Sequence, residues 1–303
     1  MDTSLLTIIT EDQLQLPGLL YTPDEPTSQM AIFLHGMGST SVFYKHEQHT
    51  QRAVELAKHG IAYCAFNNRG AHYAKKLKRT DGESFMYGMD FETIREAVMD
   101  IESVIAKLSD LGYDEFYLIG HSSGANKICV YDFYTADNPV SAYVLWAGGD
   151  DTGMFYELMG EHRFRSVLDM CRREINAGRG SEYVPLDVMS HPYSYRSLYD
   201  LMNPDGDYNV FPFLAEFNGH QLGNKPKFRE WSQITVPGLV IYGEEDEFFN
   251  GYVPQATEVL QTYAHPEAGH RYKIVPGADH SFGHHQNELN AEIGSFLAER
   301  RTK

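Results

Sequence analysis

Hydrophobic runs recur along the chain and predict strands that are buried on both faces. Each run is four to six residues long and lacks the alternation of a half-exposed strand, which is typical of the inner strands of a parallel sheet. The runs cover residues 30–34, 61–66, 116–119, 142–147 and 238–242, and a last run, which Lys273 interrupts, covers residues 272–275. Ahead of them, residues 4–9 and 14–22 flank the polar turn at Glu11 and Asp12 and predict a hairpin at the edge of the sheet.

Segments with helical spacing separate these predicted strands. Between Phe91 and Leu108 hydrophobic residues recur every three or four positions, with Asp90 as a candidate N-cap and Gly112 as the end. Shorter helical patterns follow the first run, the third run and the last run. The alternation predicts an α/β fold in which a mostly parallel central sheet is covered by helices on both faces.

One interval breaks this alternation. About 85 residues separate the run that ends at Ala147 from the one that begins near Pro237, far more than a connection in such a sheet needs. We therefore expect a core domain of residues 1–149 and 234–303 and a largely helical insertion at residues 150–233. Its many aromatic rings either form a small core of their own or belong to a lid over the ligand-binding edge. On the lid interpretation, Tyr156 and Tyr195 are candidate substrate-pocket residues.

Charge and composition narrow the class of protein. The chain has 25 Lys and Arg against 42 Asp and Glu, a formal net charge of −17, which argues against a nucleic-acid partner. Three widely spaced cysteines suit neither a disulfide framework nor a metal site. The N-terminus lacks a basic leader, and no apolar run approaches the length of a membrane span. We expect a cytoplasmic protein without membrane association, metal or cofactor, and with an unknown oligomeric state.

A candidate nucleophile lies between a predicted strand and a predicted helix. Gly120-His121-Ser122-Ser123-Gly124 fits the pattern Gly-x-Ser-x-Gly directly after the run at residues 116–119. A serine on such a sharp turn needs small residues two positions before and after it, and Gly120 and Gly124 meet that need. The alternative is an ordinary turn rich in glycine and serine.

With this motif the sequence resembles the α/β-hydrolase family, in which nucleophile, acid and histidine follow one another along the chain. The resemblance extends over most of residues 30–300 outside the insertion. It implies that Asp246, in Tyr242-Gly243-Glu244-Glu245-Asp246, is the acid and that His280, in Gly277-Ala278-Asp279-His280, is the base. The neighbouring carboxylates Glu244, Glu245 and Glu247 leave an acidic surface cluster as the alternative interpretation for the acid.

The same family places half of its oxyanion hole after the first buried strand, where this chain has His35-Gly36-Met37-Gly38. The resemblance implies the backbone N–H groups of Met37 and Ser123 as oxyanion donors. It gives His35, Gly36, Gly38, Gly120, His121 and Gly124 supporting roles. Arg69, after the second buried run, is either a substrate-pocket residue or part of a structural ion pair.

These features predict a serine hydrolase that cleaves a carboxylic ester, a small-molecule substrate, through an acyl-enzyme. The alternatives are hydrolysis of an amide, thioester, lactone or carbon–carbon bond, and a ligand-binding module without catalysis. The stretch from Gly120 to Lys127 is similar to a branch of the superfamily that contains fungal siderophore esterases. In the insertion, Arg163, Arg165, Arg172 and Arg173 form either a solvated face or a site for an acidic substituent.

Overall fold

An eight-stranded sheet forms the centre of the computed structural model, which describes residues 1–38 and 40–300. The strands of this sheet lie in the order β1-β2-β4-β3-β7-β8-β9-β10. They are β1 (Asp2–Ile9), β2 (Gln15–Thr22), β3 (Gln29–Leu34), β4 (Ala62–Phe66), β7 (Glu115–His121), β8 (Val140–Trp146), β9 (Gly238–Gly243) and β10 (Arg271–Val275). A separate two-stranded ribbon contains β5 (Lys75–Lys78) and β6 (Ser84–Tyr87).

The direction of the strands confirms the predicted architecture. β1 pairs antiparallel with β2, and β2 pairs antiparallel with β4, so the N-terminal hairpin lies at one edge. From β4 to β10 every neighbouring pair is parallel. Every residue of β3, β4 and β9 is buried, as their continuous hydrophobic sequences predict. The carboxyl ends of these parallel strands therefore meet at one edge of the sheet, where ligands bind in open α/β folds.

Nine α-helices lie in the part of the chain that the structure describes. They are α1 (His46–Lys58), α2 (Glu96–Ser109), α3 (Ser123–Tyr134), α4 (Asp151–Met159), α5 (Glu161–Asn176), α6 (Tyr195–Met202), α7 (Phe213–Phe217), α8 (Val253–Tyr263) and α9 (Gln286–Ala298). α1 packs against α9 and α2 packs against α3, which gives two helical layers beside the sheet.

Three local predictions were wrong: the start of α2, its N-cap, and the burial of the last strand, because β10 lies at the edge of the sheet and only Val275 in it is buried. Helix α2 begins at Glu96 rather than at Phe91, and its N-cap is Arg95. The predicted cap Asp90 instead accepts a hydrogen bond from His191 Nε2 at 3.0 Å, a partner 101 residues away. The β5–β6 ribbon was not predicted, because its short strands are mostly exposed and carry no hydrophobic run.

The segment at residues 150–233 is largely helical, as expected. It contains α4 to α7 and a 3₁₀ turn at Trp231–Gln233. Phe211 is buried and packs against Trp231 and Phe213, and Phe213 packs against the buried Phe228. These rings therefore continue the main hydrophobic core. Among the described residues, no helix is both long enough and apolar enough to cross a membrane.

Candidate active site

The turn after β7 holds Ser122 in a conformation that few residues other than glycine adopt. Its backbone angles are φ 56° and ψ −128°. A Cβ at Gly120 would lie 2.4 Å from the Gly124 carbonyl oxygen, and one at Gly124 would lie 2.2 Å from the Leu34 carbonyl oxygen. Both glycines are therefore required by close backbone approach. The turn places Ser122 at the carboxyl edge of the sheet, at the start of α3.

Asp246 and His280 are joined by a buried hydrogen bond. His280 Nδ1 lies 2.9 Å from Asp246 Oδ2, and Asp246 Oδ1 accepts the Phe248 backbone N–H at 3.1 Å. Because an ionised carboxylate can only accept, His280 donates through Nδ1–H. This leaves the lone pair on Nε2 available to take a proton.

The loops that carry this pair are locked together by close backbone packing. Gly243 ends β9, and a Cβ there would lie 2.2 Å from the Ala278 carbonyl oxygen, in the loop that precedes His280. Glu247 Oε2 accepts the His280 backbone N–H at 3.0 Å. The position of the imidazole therefore depends on both loops.

A cavity of about 520 Å³ brings the predicted residues together. Ser122, His280 and Met37 all line it, and Asp246 lies buried on the far side of the imidazole. Most of the remaining wall is apolar and includes Met154, Phe155, Leu158, Tyr193 and Phe248. Leu158 and Phe248 are 79% and 50% exposed, so they form the mouth.

The loop after β3 lies directly against the nucleophile. A Cβ at Gly36 would be 2.8 Å from the Ser122 Cβ and 3.4 Å from its Oγ, so glycine is needed for this approach. Gly38 has φ +97°, which also favours glycine. Ser123 is the first residue of α3, so its N–H has no partner inside the helix. Among the described residues, no backbone carbonyl accepts a hydrogen bond from the Met37 N–H.

His35 anchors this loop from behind. Its Nδ1–H donates to the Gly36 carbonyl oxygen at 2.8 Å, and its Nε2 accepts the Asn68 backbone N–H at 3.2 Å. Burial lowers the pKa of His35 to about 3, so the ring is neutral, as this pair of bonds requires. The adjacent Asn67 accepts the Val42 backbone N–H at 2.9 Å and donates to Ser41. The polar sequence after β4 therefore fixes the loop that carries Met37.

His121 connects the nucleophile turn to the loop of the candidate base. Its Nε2 lies 3.2 Å from the His280 carbonyl oxygen, and its ring packs against Trp146 with 4.1 Å between centroids. Burial and the nearby His280 keep the pKa of His121 well below its ordinary value. The ring is therefore neutral and donates through Nε2–H.

A buried ion pair lies behind the same turn. Lys127 Nζ, on α3, lies 2.9 Å and 3.0 Å from the two carboxylate oxygens of Glu92. Both side chains are at least 93% buried. Gly70 leaves room for the carboxylate, since a Cβ there would lie 1.9 Å from Glu92 Oε1. This ion pair links the helix that follows Ser122 to the segment before α2.

The three predicted substrate-pocket residues do not line the cavity, so that prediction is corrected. Arg69 is 1% exposed, and its Nη2 lies 2.7 Å from Asp100 Oδ1, which makes it a structural ion pair. Tyr156 packs against Phe164 and His220. Tyr195 is buried at the start of α6.

Other residues in the cavity wall were missed by the sequence interpretation. Asp151, Lys45 and Phe248 line it, and the sequence motifs described above include none of them. Asp151 follows Gly148-Gly149-Asp150 directly after β8, so its place after a buried parallel strand was a usable signal. Phe248 lies two residues after Asp246, again at the carboxyl edge. Lys45 comes from the segment before α1, and no sequence pattern marks it.

Within residues 1–38 and 40–300, no group of three or more His, Cys, Asp or Glu side chains is arranged to hold a metal ion. The arginines considered for an acidic substituent, Arg163, Arg165, Arg172 and Arg173, are exposed on α5 and do not line the cavity. Arg165 pairs with Glu161, and Arg172 pairs with Asp169.

Comparison with known proteins gives the class of the protein. The model of the alpha/beta hydrolase family matches residues 31–292, and this chain therefore belongs to that family. No curated protein matches the chain.

Several solved structures share the fold. Est1E from Butyrivibrio proteoclasticus, solved with ferulic acid bound, has a TM-score of 0.65 and 14% identity, over 97% of this chain and 99% of its own. A highly thermostable carboxyl esterase from Bacillus coagulans has a TM-score of 0.61 and 16% identity, over 99% of each chain. The carboxylesterase CesB from Bacillus subtilis has a TM-score of 0.55 and 17% identity, over 98% of this chain and 92% of its own. At these identities the likeness concerns the fold.

Proposed function

We propose that this chain is a serine hydrolase that cleaves carboxylic esters through an acyl-enzyme, with Ser122 as nucleophile, His280 as base and Asp246 as acid. The observation that carries the proposal is the 2.9 Å contact between His280 Nδ1 and Asp246 Oδ2, at a cavity lined by both His280 and Ser122. The strained backbone of Ser122 supports the same assignment, since such strain is typical of functional residues.

In the first half of the reaction, Ser122 Oγ bonds to the ester carbonyl carbon and its proton passes to His280 Nε2. Asp246 stabilises the imidazolium that forms. The electron pair of the carbonyl moves to its oxygen, and the backbone N–H groups of Met37 and Ser123 donate to that oxyanion. When the carbonyl re-forms, the carbon–oxygen bond to the alcohol breaks, and the alcohol leaves with the proton from His280.

In the second half, water replaces the alcohol. His280 Nε2 takes a proton from the water, whose oxygen bonds to the acyl carbon. Collapse of this second tetrahedral intermediate breaks the bond to Ser122 Oγ, which recovers its proton from His280. The products are a carboxylic acid and the regenerated enzyme.

We further propose that residues 1–149 and 234–303 form the catalytic core and that residues 150–233 form a cap. Helix α4 supports this division, because Met154, Phe155 and Leu158 line the cavity from it. Tyr208 Oη lies 3.7 Å from Met37 Sδ, which connects the proposed cap to the oxyanion loop. The apolar wall suits an apolar acyl or alcohol group.

The activity is tested with a series of p-nitrophenyl esters from acetate to octanoate. The ferulic acid in the Est1E structure is a reason to add an ester of an aromatic acid. We expect hydrolysis by the native protein, with an initial burst of p-nitrophenol close to one per active site, because an acyl-enzyme accumulates when its hydrolysis is slow.

The matched variants are Ser122→Ala and Ser166→Ala. Ser122→Ala is expected to remove the burst and the turnover. Ser166 lies exposed on α5, away from the cavity, so its substitution is expected to leave both at the native level. Turnover that survives in folded Ser122→Ala would overturn the proposed nucleophile.

A further inference from the structure

The charged groups of the active-site cavity are mainly acidic. Apart from histidines, the charged residues of its wall are Lys45, Asp151 and Glu247. Glu247 is engaged, since its Oε2 accepts the His280 backbone N–H at 3.0 Å. Lys45 is exposed, so solvent screens its charge. The remaining group is Asp151, on the first turn of the proposed cap.

The side chain of Asp151 is not the cap of its own helix, although its carboxylate lies in the first turn and accepts its own backbone N–H. The preceding residue, Asp150, caps α4 by accepting the Gly153 N–H at 2.7 Å, and it also accepts the Leu214 N–H at 2.8 Å. In the part of the chain that the structure describes, no other residue donates a hydrogen bond to the Asp151 carboxylate and no cation pairs with it. The helix would therefore keep its cap without this carboxylate.

Asp151 is nevertheless ionised at neutral pH. Burial raises the pKa of its carboxyl to about 6, and the charge of nearby His280 opposes this increase. A half-buried carboxylate that no cationic side chain of the described residues neutralises is unfavourable, and a cation placed beside it would reduce that cost.

The rest of the wall suits an organic cation. Phe155, Tyr193 and Phe248 line the same cavity as Asp151, and aromatic faces attract ammonium groups. A carboxylate among aromatic rings is the combination that recognises quaternary ammonium ions. Within the described residues, no arginine lines the cavity to offset this preference.

We propose that the substrate of this site is an ester that carries a quaternary or tertiary ammonium group, and that Asp151 is the residue that determines this specificity. The inference rests on the proposed esterase function and names its substrate class. It places the positive group of the substrate against the first turn of α4, with the ester carbonyl at Ser122.

The test uses ester pairs that differ in charge but not in shape. In the first pair the cation lies on the alcohol side: choline butyrate is compared with its neutral isostere 3,3-dimethylbutyl butyrate. In the second pair it lies on the acyl side: ethyl 4-(trimethylammonio)butanoate is compared with its neutral isostere ethyl 5,5-dimethylhexanoate. Assays at pH 8 keep Asp151 ionised. The measured quantity is the ratio of kcat/KM for the cationic ester to that for its neutral partner.

For the native protein we expect this ratio to exceed one in at least one pair, by roughly tenfold, the effect of a single close charge. Asp151→Asn should bring that ratio down by the same factor. Glu157→Gln is the matched control, because it removes a charge from the same helix but does not line this cavity. Its ratio should equal the native one.

The inference is overturned if the native ratio is one or less in both pairs, or if Asp151→Asn leaves it unchanged. Equal losses on the cationic and neutral esters would also overturn it, because they would indicate that Asp151 acts through His280. Hydrolysis of the neutral esters alone would reject this inference and keep the proposed function.

Calorimetry with folded Ser122→Ala gives the same comparison without turnover. The variant is expected to bind choline butyrate more tightly than the neutral isostere, and Ser122→Ala/Asp151→Asn is expected to lose the difference. If no ester is hydrolysed by the native protein, the proposed function fails while this binding measurement still decides the preference for a cation.

Discussion

His280 Nδ1 donates to Asp246 Oδ2 across 2.9 Å, whereas the neighbouring Glu244 uses its carboxylate to accept the Gly277 backbone N–H at 3.1 Å. Two carboxylates of the acidic run after β9 therefore bind different groups, one the His280 ring and the other the backbone of the following loop. We predict that Asp246→Asn lowers kcat/KM by about 10⁴-fold, because an amide at this position favours the wrong tautomer of the histidine. Steady-state kinetics on a p-nitrophenyl ester measure the effect.

The control for this prediction is Glu245→Gln, which removes a charge from the adjacent, exposed position. It should leave kcat/KM at the native level. If Glu245→Gln caused the large loss and Asp246→Asn did not, the assignment of the acid would be wrong.

Close backbone approach at the nucleophile turn gives a prediction about stability. Gly124→Ala would place a Cβ 2.2 Å from the Leu34 carbonyl oxygen, so the turn and β3 must separate. We expect a loss of about 3 kcal/mol in the free energy of unfolding, measured by urea denaturation. Gly149→Ala is the matched substitution, because a Cβ there meets nothing within 4 Å. Equal stability of the two variants would show that the turn is not tightly constrained.

We expect the effect of Lys127 on the free energy of folding to depend on whether its partner Glu92 is present. Lys127→Met leaves the buried Glu92 carboxylate without its cation and is expected to cost about 3–5 kcal/mol of folding free energy. The double variant Lys127→Met/Glu92→Leu removes both charges and should be more stable than Lys127→Met alone. A double variant that is no more stable than the single one would count against an unpaired charge as the cause.

Asp200 gives a prediction about pH. Burial raises the pKa of its carboxyl to about 7, although it accepts the Ile94 backbone N–H at 2.7 Å. Because the folded state holds this proton more tightly than the unfolded chain, stability is lost as the pH rises from about 4 towards 7. Asp200→Asn keeps an acceptor without the charge. From pH 5 to pH 8, native stability should fall by about 2 kcal/mol more than that of the variant.

Urea denaturation at the two pH values measures this difference, with Asp169→Asn as the control. Asp169 is exposed on α5, and its substitution should reproduce the native dependence on pH. Identical pH dependence in Asp200→Asn and the native protein would show that Asp200 does not titrate in this range.

The sequence predicts the sheet and the nucleophile turn because local constraints determine both. The hydrophobic runs of β3, β4 and β9 require burial on both faces, and Gly120 and Gly124 are needed wherever a chain turns this sharply. The same hydrophobic runs place Asp246 and His280 after β9 and β10, at the edge where the ends of parallel strands meet, whereas their roles as acid and base come from the resemblance to the α/β-hydrolase family.

The contacts that the sequence could not show are long-range. Asp90 is of a residue type that often caps helices, but its carboxylate instead accepts a hydrogen bond from His191, which lies within residues 150–233. Arg69 pairs with Asp100 on α2, which fixes it away from the cavity. The aromatic content of residues 150–233 does not reveal which rings face the site, because the direction of each side chain depends on how the helices pack. Tyr156 and Tyr195 therefore point elsewhere, while Phe155 and Tyr193 line the cavity.

Reaction with a fluorophosphonate probe, followed by peptide mass spectrometry, tests whether Ser122 is an activated nucleophile. We expect labelling of the native protein at Ser122, no labelling of Ser122→Ala, and strongly reduced labelling of folded His280→Ala, since the serine needs its base. Labelling at another serine, or none in the folded native protein, would show that Ser122 is not the nucleophile.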